Sequence, residues 1–107
     1  MKVFSAYREG RLTIYLQGEL DQHAVRGSVS AIEGLLEQYL PRDCVLDLGG
    51  LSFMDSSGIA LILKLHRRLT GGGGRAWVEN AKGQPLRVLD ASGIARLVPV
   101  RVPEEVG

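Results

Sequence analysis

The chemically capable side chains that lie closest together in this 107-residue sequence are Asp55, Ser56 and Ser57, followed by Gly58 and Ile59. A serine just inside the start of a helix is well placed to carry a phosphate. The first helical turn exposes backbone N–H donors and the positive end of the macrodipole, which accommodate a group of about −1.5 to −2 charge. Gly58 is expected to leave the hydroxyl open to a partner. Asp55 lies beside it, and Asp21 ends another expected strand that can point to the same rim, so the pair can orient a hydroxyl or repel a phosphate. Ser, Thr or Asp before a helix is also an ordinary cap, and Asp-Ser-Ser-Gly alone does not separate the two roles.

A nucleophilic role for Ser57 needs a base. The histidines are His23 and His66. Neither has an evident orienting partner, and the strained Gly-x-Ser-x-Gly elbow is absent, which makes a small serine hydrolase a weak rival. His23 is read as a surface contact near Asp21 and His66 as a helix residue. Asp47 resembles a receiver-type acceptor aspartate, but that chemistry needs an acidic pair after the first strand to hold magnesium, and the segment there is Tyr7-Arg8-Glu9-Gly10. A carboxylate bonding loop amides is the simpler expectation. The glycines at 71–74 lack the Lys and Ser/Thr of a phosphate loop and read as a turn. No cluster of metal ligands stands out, and no cofactor is expected. Trp77 is expected in the core or on a half-covered sheet face.

The elements that must position Ser57 follow from periodicity. Residues 3–8 and 12–17 flank Glu9-Gly10, and Leu12, Ile14 and Leu16 alternate with polar neighbours, which predicts a β-hairpin with one covered face. Gly18-Glu19-Leu20-Asp21 breaks that alternation. Val25, Val29, Ile32, Leu36 and Tyr39 recur at helical spacing until Pro41, with Asp21 a candidate cap. The apolar run 44–48, ended by Gly49-Gly50, predicts a central strand buried on both faces. Ile59, Ile62, Leu63 and Leu69 share one face of a second helix that starts after Asp55, with Gly71 as its left-handed stop. Residues 75–79 read as a strand and 85–91 as a short helix opened by Pro85 and closed by Ser92-Gly93. Residues 97–102 read as a last edge strand flanked by Pro99 and Pro103. The order ββαβαβαβ predicts an α/β fold in one domain over residues 1–107, with a mixed sheet: an N-terminal hairpin, then parallel strands joined by crossover helices.

Composition narrows the function classes. Hydrophobic residues make up 45% and charged residues 23%, the balance of a folded globular chain. A net charge of +1 leaves no excess field for holding a polyanion, so direct nucleic-acid binding is not expected. The opening residues lack an apolar signal core, and the aliphatic run 59–63 is far too short for a membrane span. A cytoplasmic protein without a membrane partner is the expectation, and the lone Cys44, in an apolar run, reads as a small buried hydrophobe.

The segment Leu51-Ser52-Phe53-Met54-Asp55-Ser56-Ser57-Gly58-Ile59 resembles the signature of STAS domains, the sulfate-transporter and anti-sigma factor antagonist family. The resemblance extends to Gly18-Glu19-Leu20-Asp21, to Val45-Leu46-Asp47-Leu48 and to the segment from Pro85-Leu86-Arg87 through Ser92-Gly93-Ile94, and so covers most of the chain. It favours the free-standing bacterial antagonists over the transporter domains. By that resemblance Ser57 is the phosphoacceptor for an anti-sigma factor that is itself a serine kinase. The unphosphorylated protein binds that kinase and frees a sigma factor, phosphorylation ends the binding, and a serine phosphatase resets it. The implied partner surface is Asp21, Gln22, His23, Asp55, Ser56, Ser57, Gly58 and Ile59. A STAS scaffold subunit of a lipid-transport or stress-signalling complex is the alternative. Two departures stand out: Gly58-Ile59-Ala60 replaces the family's frequent Gly-Leu-Gly, and residues 103–107 leave no room for a further C-terminal helix.

Overall fold

The computed structural model describes residues 1–102. The elements run in the order β1 (Lys2–Arg8), β2 (Arg11–Leu20), α1 (Gln22–Tyr39), β3 (Asp43–Met54), α2 (Ser56–Gly71), β4 (Arg75–Glu79), α3 (Gly83–Ser92), a 3₁₀ turn (Ile94–Arg96) and β5 (Val100–Arg101). The strands lie in the sheet in chain order, β1-β2-β3-β4-β5, with β3 at the centre. β1 pairs antiparallel with β2, and each later pair is parallel. The expected ββαβαβαβ mixed sheet is therefore present. Because the strands advance in one direction and parallel crossovers are right-handed, the three helices must pack on the same face.

That face holds the core. Leu12, Ile14 and Leu16 of β2, Cys44, Leu46 and Leu48 of β3 and Ala76 and Val78 of β4 point into one cluster with Ile32 and Leu36 of α1 and Leu61, Ile62, Leu65 and Leu69 of α2. Cys44 is fully buried there, and burial pushes its thiol up to about 12, so it is the inert hydrophobe expected. Among the described residues no helix covers the opposite face. Val45 and Trp77 are nevertheless buried, Trp77 because the guanidiniums of Arg11, Arg75 and Arg101 lie 4.9, 5.6 and 4.3 Å from its ring centroid. Residues 44–48 of the central strand are thus covered on both faces, as expected, whereas Gly50, Ser52 and Phe53 further along β3 are exposed; arginine stems and cation–π contacts cover the neighbouring Trp77.

Several boundaries differ from the sequence-based expectation. β2 runs on through Leu20, and β3 continues past Gly49-Gly50 to Met54. The glycines accommodate irregularity instead of stopping the strand: Tyr15 pairs with Asp47 but Gln17 with Gly50, and Gly18 with Leu51 but Glu19 with Phe53. A β-carbon at Gly50 would lie 2.7 Å from Gln17 Cγ and 3.0 Å from the Leu16 carbonyl oxygen. At the end of α2, Gly71 is still helical, and Gly73, at φ 83°, takes the left-handed conformation. The last strand shrinks to Val100–Arg101 on the β4 edge, because the N–H groups of Leu97 and Val98 both donate to the Ile94 carbonyl at 2.9 Å and continue the 3₁₀ turn at 94–96. The expectation about residues 103–107 lies outside the described residues.

At the strand starts, Asp43 is buried and accepts hydrogen bonds from Arg75 Nε (3.1 Å) and Arg75 Nη2 (3.0 Å), with Arg11 Nη2 at 3.4 Å. The Arg75 bonds hold its carboxyl below the ordinary 3.8, outweighing the upward push of burial, and Arg11 adds to them. A carboxyl depressed in the folded state contributes stability that is complete above its unfolded value and is lost as pH falls through the folded one. The urea midpoint of the parent should therefore fall as pH drops below about 4, and that acid-dependent loss should shrink in Asp43→Asn. Identical acid limbs in parent and variant would remove Asp43 from the account.

Candidate functional site

The site is built where β2 and β3 end together. Leu20 and Met54 are register partners at the carboxyl ends of these parallel strands, and the Asp55 N–H donates to the Leu20 carbonyl at 3.3 Å. The next residue in each strand, Asp21 and Asp55, is the N-cap of the helix that follows. Asp21 Oδ1 accepts from the Ala24 N–H at 2.8 Å, and Asp55 Oδ1 from the Ser57 N–H at 2.8 Å. Two helix N-termini, each carrying a carboxylate, therefore open side by side at the rim of the sheet. The expectation that Asp21 and Asp55 share one rim holds.

Ser57 is the second residue of α2 and half-buried, Ser56 is exposed and Ile59 is half-buried. Gln22 and His23 are exposed in the first turn of α1. These residues and the two aspartates fall on the first turns of the two adjacent helices.

Gly58 does something other than open the hydroxyl or touch a partner. It is buried, and a β-carbon there would overlap Met54 Cγ and lie 2.7 Å from Met54 Sδ and 3.0 Å from Leu20 Cδ2. The absence of a side chain lets the first turn of α2 sit directly on the last residues of β2 and β3. The sequence also suggested free N–H donors waiting for a phosphate. In the structure the Ser57 N–H is already engaged by Asp55, and the Gly58 N–H reaches the Asp55 carbonyl at 3.0 Å. A phosphate on Ser57 Oγ would thus meet a helix N-terminus where the Ser57 and Gly58 donors are in use, with a carboxylate close by.

A residue not singled out from sequence also reaches the site. Gln84, in the first turn of α3, accepts from the Met54 N–H through Oε1 at 2.8 Å and donates from Nε2 to the Met54 carbonyl at 2.9 Å. Thirty positions separate the two residues, and no periodicity marks such a pair.

The rival chemistries find no support in the arrangement. His66 is nine residues beyond Ser57 in the same helix, about 13 Å along its axis. Among the described residues no hydrogen bond joins Ser57 to His23 or His66, and no group of three His, Cys, Asp or Glu is placed to hold a metal. Asp47 lies within β3 and not at a strand end as expected; it accepts from the Gly49 N–H of the same strand at 2.9 Å and from Asn80 Nδ2, in the loop after β4, at 2.7 Å. No helix among the described residues is long and apolar enough to cross a membrane.

Comparison with known proteins agrees with this geometry. The STAS domain family model matches residues 5–105. An anti-sigma F factor antagonist of Lysinibacillus sphaericus is 37% identical over 83 residues, covering 78% of this chain and 71% of that protein. The structure of the anti-sigma factor antagonist SpoIIAA in its unphosphorylated form has a TM-score of 0.80 at 28% identity, covering 97% of this chain and 90% of that one. The Bacillus cell fate determinant SpoIIAA in the phosphorylated form has a TM-score of 0.72 at 28% identity, covering 97% and 93%. A sheet that delivers Asp55-Ser56-Ser57-Gly58 to the start of its second crossover helix, in a chain matched almost end to end by that family model, places the chain in the STAS domain family.

Proposed function

We propose that this chain is an anti-sigma factor antagonist, a binding module without catalytic activity of its own, switched by phosphorylation of Ser57. In its unphosphorylated form it binds an anti-sigma factor that is a serine kinase, and so frees a sigma factor for transcription. A serine phosphatase restores the modified protein. The observation that carries this reading is the position of Ser57 at the helix start, on a rim shared with Asp21 and Asp55, in a chain similar to a protein solved in both unphosphorylated and phosphorylated forms. The partner-facing set is Asp21, Gln22, His23, Asp55, Ser56, Ser57 and Ile59, and Gly58 supports it from below. The partner supplies the chemistry: among the described residues no side-chain hydrogen bond to the Ser57 hydroxyl activates it, and the Asp55 carboxylate is engaged by the Ser57 N–H, so the kinase brings the base together with ATP.

With the anti-sigma factor kinase of the same genome and ATP, one phosphate should enter the parent chain at Ser57. Ser57→Ala should take up none. Mass spectrometry that places the phosphate on Ser56, Ser52 or Ser92 would sink the assignment.

A further inference from the structure

The Met54–Asp55 peptide is held at both of its ends by different elements. Its carbonyl accepts from Gln84 Nε2 at 2.9 Å, and its N–H donates to the Leu20 carbonyl at 3.3 Å. Gln84 also takes the Met54 N–H through Oε1 at 2.8 Å, so one amide side chain matches both polar groups of Met54 as a neighbouring strand would. No strand does this, since the last β3–β4 pair is Asp47 with Glu79, seven residues before Met54. The side chain that fills the gap is anchored by α3, whose Pro85 and Leu89 are buried.

A peptide unit is planar and stiff, so fixing it on both sides fixes where Asp55 begins. From there the chain has little freedom before Ser57. Asp55 is extended, its carboxylate takes the Ser57 N–H at 2.8 Å, and its carbonyl takes the Gly58 N–H at 3.0 Å. We infer that Gln84 is a positioning residue for phosphoryl transfer to Ser57: by clamping Met54 it sets the direction of the serine hydroxyl, and it makes α3 part of the machinery of the switch. This rests on the proposed role of Ser57. Transfer proceeds by attack of Ser57 Oγ on the γ-phosphorus of ATP with loss of ADP, the hydroxyl proton passing to a base of the kinase. Its rate depends on the in-line approach of the oxygen, where a misplacement of about 1 Å can cost a hundredfold.

Gln84→Met tests this, because methionine keeps the length and bulk of the side chain and removes both hydrogen bonds. With the anti-sigma factor kinase and ATP, kcat for phosphorylation should fall about tenfold or more while KM for the chain stays close to the parent's; the melting temperature falls, because two buried polar groups of Met54 lose their partner, but the chain stays folded at the assay temperature. Gln84→Glu retains the acceptor for the Met54 N–H but opposes the Met54 carbonyl with a second acceptor, and should lose rate as well. In parallel, amide exchange should quicken at Met54 and the Ser57 amide resonance should shift in Gln84→Met. Faster exchange at Met54 with an unmoved Ser57 resonance and an unchanged kcat would make Gln84 a strand cap alone and overturn the inference. A loss expressed in KM, or explained by unfolding, overturns it too. A parent chain that takes no phosphate at Ser57 defeats the underlying reading as well, and is told apart by that control.

Discussion

Phosphorylated at Ser57, the protein should bind the anti-sigma factor at least a hundredfold more weakly than the unmodified form and melt at nearly the same temperature. Inside the fold the opposing effects are small. The N-terminal dipole of α2 favours an anion by about 0.3–1 kcal/mol, and the Asp55 carboxylate, already bonded to the Ser57 N–H, opposes it at a rim open to water. The buried anchor of α2, Leu61, Ile62, Leu65 and Leu69, is untouched. At an interface the terms are larger. A partner that closes over the first turns of α1 and α2 must bury a dianion next to two carboxylates, a cost of several kcal/mol without a cation to meet it, and roughly 3 kcal/mol already exceeds a hundredfold in affinity. Ser57→Asp, a partial mimic, should lose most affinity, whereas Ser57→Ala should keep it. Calorimetric titration of the phosphorylated protein and both variants, with melts on the same samples, decides the matter. Affinity retained by the phosphorylated protein excludes an interfacial switch, and affinity lost together with the fold moves the switch into the scaffold.

Gly58→Ala should be destabilised by about 1–3 kcal/mol, a fall of roughly 5–20 °C in melting temperature, although alanine is the better helix former. The added carbon collides with Met54 and with Leu20 Cδ2, both fully buried, so the strain cannot be relieved toward solvent. Either the first turn of α2 lifts or Met54 leaves its rotamer. Both move the Asp55–Ser57 turn, so phosphorylation should slow along with the loss of stability. A second substitution, Met54→Ala, opens the space that the β-carbon needs, and the cost of Gly58→Ala in that background should be smaller. A thermodynamic cycle over the four proteins measures this, and strict additivity would show that the clash is not the cause.

The residues of the candidate site were largely legible in the sequence, and the contacts that hold them were legible only in part. Local signals survive folding. Asp21 and Asp55 cap the helices they precede, and residues 75–79 form the strand assigned to them. Readings that failed depended on neighbours distant in sequence. Gly49-Gly50 carries the composition of a strand end, but β2 supplies partners beyond it, and the glycines become the place where register slips. Gly58 suggested an open surface because the missing side chain was visible and Met54 and Leu20 beneath it were not. Gln84, in a polar stretch at the start of a short helix, has nothing local to distinguish it from a solvated residue. The closing strand was drawn too long because the turn at 94–96 is held by bonds to Gly93 and Ile94, a geometry that apolar composition does not encode.

The arginine-covered ring of Trp77 gives the molecule an optical property. The sequence has one tryptophan, so its indole emission comes from one place. That place is the middle of β4, on the sheet face away from the helices, with its N–H given to Glu79 and guanidiniums of β2, β4 and β5 stacked around it. Separating those strands floods the indole with water. Trp77 pairs with Val45 near the start of β3, whereas Ser57 follows the strand's far end. The protein therefore carries an internal fluorescent gauge of sheet assembly that is remote from the Ser57 rim.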